Sequence, residues 1–183
     1  HATSKIRNLN DLSNINTLGF RGEALPSIAS VSMFTAYSSE TDSDGYEIKI
    51  NGGIEQSFKP APGLVGTTCK INNLFFNTPA RRKFLKKPEN EQAMILATMR
   101  RFMISRPNIE FKMLSNDKIV YDLPSQTLTQ RIGAIYGSTY ERGILPVDLS
   151  KEPYSVTGFT GNLSLLKKRQ GEQYLFLNGR FIK

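Results

Sequence analysis

The chain has little of what disulfides, metal sites and membrane spans require. Cys69 is the only cysteine, so no disulfide can form within the chain and a reducing compartment is favoured. His1 is the only histidine and has no metal-binding partners in the sequence, so no metal site is predicted within the chain. No apolar run approaches the roughly 18 residues of a membrane-spanning helix, and no cleavable signal is evident. The 39% hydrophobic content is typical of a soluble globular protein.

The positive charge is concentrated in two stretches. The formal net charge is +8, from 24 Lys and Arg against 16 Asp and Glu. Residues 81–118 hold ten basic and four acidic residues, and residues 167–183 hold five basic and one acidic. Two basic regions on an acidic background indicate a surface for a polyanion. On charge alone, solvated Lys and Arg faces are an equally good interpretation.

Two short segments carry the most specific signals. In Asn77-Thr78-Pro79-Ala80-Arg81-Arg82-Lys83-Phe84-Leu85, Pro79 fixes its own backbone and keeps Thr78 out of a helical conformation, which predicts a turn. In Gly19-Phe20-Arg21-Gly22-Glu23-Ala24-Leu25, two glycines precede a predicted helix. The start of a helix leaves amide groups unpaired and can bind phosphate. Glycine turns before helices are common, however, so this spacing alone favours a structural turn.

The periodicity of apolar residues predicts a mixture of helices and strands. Helices are predicted at residues 9–18, 23–31, 89–105 and 128–136, and strands at residues 46–50, 54–58, 67–74, 109–114, 118–123, 154–159 and 174–177. Asn51-Gly52-Gly53 predicts a hairpin turn between the first two strands. Cys69 lies in an alternating run, which predicts a small buried residue.

The fold class is predicted to be α/β, of the α+β kind, with two domains. Pro124-Ser125-Gln126-Thr127 is the best candidate for the boundary, since its Pro and polar residues separate a hairpin from a new helix. We therefore expect one domain over residues 1–123 and the beginning of a second over residues 124–183. The chain opens and stops within patterned segments, so we expect both ends to be truncated.

The order and approximate spacing of four motifs resemble those of the MutL-type DNA mismatch repair proteins. These motifs are His1-Ala2-Thr3-Ser4-Lys5-Ile6, the glycine loop, Gly66-Thr67-Thr68 and the segment from Asn77 to Leu85. The second half resembles the family more loosely, through Arg131-Ile132-Gly133-Ala134-Ile135-Tyr136-Gly137 and Asn178-Gly179-Arg180. The family belongs to the ATPase superfamily of gyrase B subunits and sensor histidine kinases. The resemblance implies an incomplete two-layer α/β sandwich ATPase domain, with ATP lid and glycine loop, followed by a truncated transducer-like domain of ribosomal protein S5 domain 2-like type.

The resemblance implies that ATP and Mg²⁺ are the cofactors. An ATP lid that approaches the phosphates is matched by Thr3, Ser4 and Lys5, whose hydroxyl and ammonium groups are suitable donors. The loop whose backbone amides enclose the phosphates is matched by seven residues: Gly19, Phe20, Arg21, Gly22, Glu23, Ala24 and Leu25. Thr67 matches a threonine at the floor of the adenine pocket, although without the family it would be an ordinary strand residue.

Two motifs of the family's ATP site do not occur in the chain. The Glu-Asn motif supplies the general base and a Mg²⁺ ligand, and the Asp-x-Gly-x-Gly motif reads adenine; both are expected before His1. A lysine that reaches the γ-phosphate is expected beyond Lys183. Glu23 matches no catalytic position, so it is a poor substitute base. The family is a weak Mg²⁺-dependent ATPase, no catalytic residue is assigned within the chain, and the chain alone is expected to be inactive.

The prediction of DNA binding rests on the positive charge of the chain together with the family resemblance. Four residues match, or lie beside, basic positions of the family's DNA-facing surface: Lys86, Arg100, Arg101 and Arg180. Arg81, Arg82 and Lys83 are interpreted instead as packing and pairing near the ATP site. The sequence has no helix-turn-helix signature and no zinc ligands, which favours binding to the backbone over base readout.

The implied partners are double-stranded and single-stranded DNA without sequence preference, a second subunit and a mismatch-recognition protein, with no membrane. The second subunit is either the same protein or a family paralogue. The expected location is the cytoplasm in a bacterium and the nucleus in a eukaryote. The function that the resemblance implies is DNA mismatch repair. In it, an ATP-binding and ATP-hydrolysing switch couples nucleotide-dependent dimerisation to DNA binding and strand-specific repair.

Two alternative functions stay open at this point. A type II topoisomerase B-type ATPase shares the glycine loop and the class of second domain, but the Asn-Thr-Pro-Ala-Arg-Arg run argues against it. A non-enzymatic nucleic-acid-binding module of ribosomal-protein type is suggested only by the charge and the α/β pattern.

Overall fold

The computed structural model describes Gly19 and residues 22–42, 44–168 and 171–182. The chain separates into two compact units, His1–Lys87 and Pro88–Lys183. The helix predicted at residues 9–18 lies outside the described residues. The domain boundary predicted between residues 123 and 124 lies inside the second unit and stays a prediction.

The first unit is built on a four-stranded antiparallel sheet. Its strands lie in the order β3-β2-β1-β4 and are β1 Met33–Ser39, β2 Tyr46–Asn51, β3 Ile54–Pro60 and β4 Gly66–Asn72. β2, β3 and β4 confirm three predicted strands. The central strand β1 was not predicted, because its apolar residues fall on both faces, Phe34 and Ala36 on one and Met33 and Tyr37 on the other.

The turn between β2 and β3 is fastened to a short helix. α1, Ala24–Ala29, confirms a helix after the glycine loop, although it is shorter than predicted. Gly52 and Gly53 have φ values of 59° and 88°, which suit the predicted two-residue hairpin turn. The Gly53 amide donates to the carbonyl oxygen of Ala29 at 3.0 Å. The hairpin turn therefore holds the C-terminal end of α1.

The two faces of this sheet differ in polarity. One face carries Glu47, and the ammonium groups of Lys49 and Lys59 lie 3.3 and 3.8 Å from the same carboxylate oxygen of that residue. The other face is apolar and includes Tyr46 and Phe58, whose rings stack with centroids 5.3 Å apart. Strict alternation along β2 produces this difference, because successive side chains point to opposite faces.

Cys69 does not pack in a core, so its predicted burial is wrong. Cys69 is exposed, as are all seven residues of β4 within the described part of the chain. β4 is an edge strand of the sheet, and α1 contacts β1. Alternation identifies the apolar face of a strand, but it does not tell whether another element covers that face.

A second short helix begins at the predicted turn. α2, Pro79–Lys83, has Pro79 at its start, a position where the missing amide hydrogen costs nothing. Thr78 has φ of −131° and ψ of 72°, outside the helical region, as expected for a residue before proline. The three consecutive cations fill the last turn of α2 and are exposed.

Within its described residues, 88–168 and 171–182, the second unit combines three α-helices with three antiparallel hairpins. In chain order it contains α3 Pro88–Ser105, β5 Phe111–Ser115, β6 Lys118–Leu123, α4 Leu128–Tyr136, α5 Ser138–Gly143, β7 Ile144–Lys151, β8 Tyr154–Gly161, a 3₁₀ helix Leu163–Leu165, β9 Leu175–Leu177 and β10 Arg180–Ile182. α3, α4, β5, β6, β8 and β9 confirm predicted elements. α5 and β7 were not predicted, since α5 has no apolar periodicity and Pro146 interrupts the strand pattern of β7.

Local hydrogen bonds fix the start of α4. The Gln130 amide donates to Thr127 Oγ1 at 3.3 Å, and the Thr127 amide donates to Gln130 Oε1 at 3.0 Å. This reciprocal capping box satisfies amide groups that the helix leaves unpaired. The signal is entirely local in sequence, which explains why the predicted helix, residues 128–136, has the observed bounds.

Arg131 is the largest fully buried side chain among the described residues. Its Nη2 lies 2.9, 2.9 and 2.7 Å from the carbonyl oxygens of Pro107, Ile109 and Pro124, and its Nη1 lies 3.2 Å from that of Met103. In the described part of the chain it forms no ion pair. Burial lowers the pKa of the Arg131 guanidinium. The side chain therefore joins α4 to the end of α3 and to both flanks of the β5–β6 hairpin.

We expect Arg131→Met to lower the free energy of unfolding by about 3 kcal/mol or more. The substitution fills similar space but leaves buried carbonyl oxygens without donors, at a cost of about 1–3 kcal/mol each. Denaturant unfolding followed by circular dichroism measures the change. Arg142→Met on α5, where Arg142 is exposed, is the control and should change stability by less than about 0.5 kcal/mol. Equal unfolding midpoints for the two variants would contradict this role.

Candidate nucleotide and nucleic-acid sites

The residues predicted to bind nucleotide are described in part. Six of them lie in the described chain: Gly19, Gly22, Glu23, Ala24, Leu25 and Thr67. The other five lie outside it: Thr3, Ser4, Lys5, Phe20 and Arg21. The geometry of the candidate site is therefore built from the end of the glycine loop, from α1 and from the sheet.

The end of the glycine loop adopts a conformation that favours glycine. Gly22 has φ of 68°, which a residue with a Cβ reaches only with strain. Glu23 is the N-cap residue of α1 and makes no side-chain capping hydrogen bond. The amides of Ala24 and Leu25 lie in the first turn, where a helix supplies no acceptor. This end of α1 is suited to an anionic group, although a helix of six residues has only a small dipole.

An open cavity of about 560 Å³ lies between α1 and the apolar face of the sheet. Leu25 lines it from α1, Phe34 and Ala36 from β1, and Ile48 from β2. An apolar cavity with polar groups at its margin is typical of a small-molecule site. The position of Leu25 in the lining shows that the glycine loop leads directly to this cavity.

Thr67 lies on the same face of the sheet as this cavity. It stands opposite Ser38 on the neighbouring strand β1, and the two hydroxyl oxygens lie 2.8 Å apart. Ser38 is two residues from Ala36, which lines the cavity, so both point to one face. The structure therefore brings the end of the glycine loop and Thr67 to one side of one sheet.

Asn77 connects the segment that follows β4 to α1, a role that its sequence position did not reveal. Its Nδ2 donates to the carbonyl oxygen of Ser30 at 2.9 Å, immediately after α1. Close by, the Phe75 amide donates to the carbonyl oxygen of Val31 at 2.7 Å. The partners are 47 residues apart in the chain, so no local pattern could have indicated the contact. The segment that begins at Asn77 is thus joined to the C-terminal end of α1, the helix in which the glycine-loop segment ends.

The four predicted DNA-binding residues are divided between the two units of the chain. Lys86 is exposed in the first unit, and the other three belong to the second. Arg100 Nε donates to the Tyr121 hydroxyl oxygen at 2.9 Å, and this hydrogen bond raises the pKa of the guanidinium. The Arg101 guanidinium lies over the ring of Phe181, 4.3 Å from its centroid. Neighbouring residues of α3 thus have different partners.

Arg180 lies on β10, next to the ring that Arg101 covers. Phe181 and Phe176 stand opposite each other in the β9–β10 pair, and their rings make an edge contact at 5.9 Å. Because side chains alternate along a strand, Arg180 points to the other face of this hairpin. A cation over an aromatic face contributes about 0.5–1 kcal/mol at an exposed site. Arg101 therefore helps to hold the hairpin that carries Arg180.

A cluster of tyrosines near this hairpin was not predicted. The hydroxyl oxygens of Tyr136 and Tyr174 lie 2.5 Å apart, and burial, with that hydrogen bond, raises the pKa of Tyr136. Tyr140 Oη donates to Glu172, and Lys167 Nζ lies 2.7 Å from the same carboxylate. Burial disfavours the Glu172 carboxylate, but the bonds from Lys167 and Tyr140 outweigh it and lower the pKa of Glu172. The cluster ties α4 and α5 to the segment before β9.

The described residues show no cluster of three or more His, Cys, Asp and Glu side chains suited to a metal ion. Across residues 22–42, 44–168 and 171–182, no three His, Cys, Asp or Glu side chains come together in a group that could hold a metal ion. Within the same part of the chain, no helix is both long and apolar enough to cross a membrane.

Known proteins resemble this chain in both sequence and fold. A DNA mismatch repair protein MutL of Geobacter sulfurreducens is 41% identical over the whole chain, and one of Neisseria gonorrhoeae is 40% identical. The chain spans only 30% and 28% of these two relatives. The Aquifex aeolicus MutL ATPase domain complexed with ADP superposes with a TM-score of 0.71 and 27% identity, over 97% of this chain and 67% of that one. No family model matches the chain.

The fold and the candidate site together define an α/β domain of the MutL ATPase type, which confirms the predicted fold class. The 41% sequence identity to the Geobacter sulfurreducens MutL protein, over the full length of this chain, then indicates the family. This chain belongs to the MutL family of DNA mismatch repair proteins. The ribosomal protein S5 domain 2-like type of the second domain stays a prediction.

We expect Asn77→Ala to loosen the C-terminal end of α1. It removes a hydrogen bond that contributes about 0.5–1.5 kcal/mol, so the Ser30 amide, which donates to Pro26, should exchange with solvent several-fold faster. Hydrogen exchange followed by mass spectrometry or NMR measures the effect. The control is Asn116→Ala, in the exposed β5–β6 turn, which should leave the exchange of the Ser30 amide unchanged. Unchanged exchange at Ser30 would contradict a fastening role for Asn77.

Proposed function

We propose that this chain is part of an ATP-dependent switch for DNA mismatch repair. In this function, nucleotide binding and hydrolysis control dimerisation, and dimerisation controls DNA binding and strand-specific repair. One observation carries the proposal: the end of the glycine loop and Thr67 lie on one face of one sheet. The family relation over the whole chain supports it.

ATP is the nucleotide that this arrangement fits best. The amides at the start of α1, after Gly22, are suited to its phosphates, and the Thr67 hydroxyl with the apolar cavity is suited to its base. By family match, the remaining contacts come from Thr3, Ser4, Lys5, Gly19, Phe20 and Arg21. When bound, ATP supplies a γ-phosphate whose presence or loss distinguishes two states of the protein. We place the Mg²⁺ ligand outside the described residues.

Glu23 is not the catalytic base in this proposal. It is the N-cap residue of α1 and matches no catalytic position in the family. A general base must reach the attacking water and have a suitable pKa. We assign the base to a Glu-Asn motif that this sequence does not contain.

The 183-residue chain alone is therefore expected to hydrolyse no ATP above background. Adding the family's N-terminal segment with its Glu-Asn motif should give slow turnover that requires Mg²⁺. Phosphate release measured with and without Mg²⁺ checks both expectations. The control is Glu23→Gln in the extended protein, which should keep most of the turnover. Clear hydrolysis by the chain alone, abolished by Glu23→Gln, would contradict the assignment of the base.

DNA is the proposed macromolecular ligand, bound through its phosphates and without sequence preference. The described basic residues of the second unit lie on a helix surface and a hairpin, and no base-reading module is evident in the sequence. We propose both double-stranded and single-stranded DNA as ligands. The protein partners proposed are a second subunit, identical or paralogous, and a mismatch-recognition protein. The proposed location is the cytoplasm in a bacterium and the nucleus in a eukaryote.

The two alternative functions are not favoured. The MutL proteins named above are mismatch repair proteins by name, and the matching solved structure is a MutL ATPase domain. A type II topoisomerase B-type ATPase would not explain this identity over the whole chain. A non-enzymatic nucleic-acid module would not explain the similarity to an ATPase domain in complex with a nucleotide.

We expect Arg180→Glu to weaken duplex binding to a similar extent for every sequence tested. A lost phosphate contact lowers the slope of log affinity against log salt by about 0.9 in magnitude, and the reversed charge adds local repulsion. Titrations of the intact protein at three salt concentrations measure this slope. Equal affinities and parallel slopes for wild type and variant would remove Arg180 from the DNA site.

A further inference from the structure

The turn between β9 and β10 lies against an arginine that no sequence motif singled out. Gly179, in this turn, has φ of 76°. Arg106 Nη2 and Nη1 lie only 3.0 and 3.2 Å from the point that a Cβ on Gly179 would occupy. Arg180 follows Gly179, and consecutive Cα atoms are about 3.8 Å apart. The Arg106 guanidinium therefore lies beside the backbone that carries Arg180.

Arg106 keeps most of its hydrogen-bonding capacity for a ligand. A guanidinium has five N–H donors. Within the described residues, Arg106 shows one hydrogen bond, from Nη1 to the carbonyl oxygen of Ser105 at 3.3 Å, and it takes part in no ion pair. Arg131 differs, since its terminal nitrogens are directed at four backbone carbonyl oxygens. Arg106 therefore makes fewer side-chain hydrogen bonds to the protein than Arg131 does.

Acidic residues are absent from the sequence on both sides of this contact. Neither residues 92–109, which include the end of α3, nor residues 173–182, which include β9 and β10, contain an Asp or Glu. Glu172 is the acidic residue nearest to the hairpin in sequence, and it is bound by Lys167 and Tyr140. The two stretches that carry Arg106 and Arg180 are thus basic without an acidic residue of their own, and such local positive charge favours a polyanion.

We propose that Arg106 and Arg180 bind neighbouring phosphates of one nucleic-acid strand at the β9–β10 turn. The inference rests on the proposed DNA binding and adds a residue that the sequence did not assign. Gly179 leaves room for this contact, because a Cβ there would lie tightly against the Arg106 guanidinium, 3.0 Å from Nη2. Arg101 has another role, since it covers Phe181 and positions the hairpin.

The test is the salt dependence of DNA binding by the intact protein, measured for wild type, Arg106→Gln, Arg180→Gln and the double variant. Each single variant should lower the slope of log affinity against log salt by about 0.9 for a duplex and by about 0.7 for a single strand. The double variant should lose about twice as much. Duplex and single-stranded oligonucleotides are titrated separately, so that the preferred form of the strand is identified.

The matched control is Arg142→Gln, which removes the same charge from an exposed position on α5 and should leave the slope unchanged. Arg106→Lys, which keeps the charge, should retain the wild-type slope. Thermal melting curves verify that each variant is folded. If Arg106→Gln does not fold, Arg106→Met takes its place, because methionine keeps an aliphatic side chain and removes the charge.

One set of results would contradict the role of Arg106, and a different result would contradict the proposed DNA binding on which that role rests. If Arg180→Gln lowers the slope while Arg106→Gln leaves it unchanged, Arg106 is not part of the site, and DNA binding stands. If Arg106→Gln and Arg142→Gln lower the slope equally, the effect is one of net charge, and the inference fails. If wild type binds neither form of DNA, the proposed DNA binding itself is wrong.

Discussion

The second unit depends on one buried guanidinium. Arg131 extends from α4 and meets carbonyl oxygens from the end of α3, from the segment before β5 and from Pro124 after β6. A buried charge is costly unless hydrogen bonds compensate for it, so these carbonyl oxygens have little freedom to move away. The end of α3, which carries Arg101 and is followed directly by Arg106, is held by the same contacts. The buried contacts of Arg131 therefore help to fix the backbone from which Arg101 and Arg106 extend.

The first unit is organised around α1, which is held by segments distant in the sequence. The β2–β3 turn contacts its last residue through Gly53, and Asn77 contacts the carbonyl oxygen of Ser30 that follows. The glycine loop precedes this helix, and the basic segment on α2 follows Asn77. Two motifs that are distant in the sequence are thus connected through α1.

The sequence predicts features that local interactions determine. α4 has its predicted bounds because Thr127 and Gln130 form a complete capping signal within four residues. The central strand β1 was missed because tertiary packing, and not alternation, places it in the sheet. The exposure of Cys69 depends on what covers β4, which the strand itself does not encode. Likewise, the contacts of Asn77 and Arg131 join residues far apart in the chain, so only the fold reveals them.

The fastening of α1 at one end has a thermodynamic consequence. Its C-terminal end is already fixed by the β2–β3 turn and by Asn77, whereas its first turn has no side-chain cap. A ligand that reaches Ala24 and Leu25 meets a helix whose conformational entropy was lost during folding. Little of the binding free energy is then spent on ordering this element, and more of it remains to change the conformation of other segments. A helix that is preorganised in this way presents its first turn without a further ordering cost.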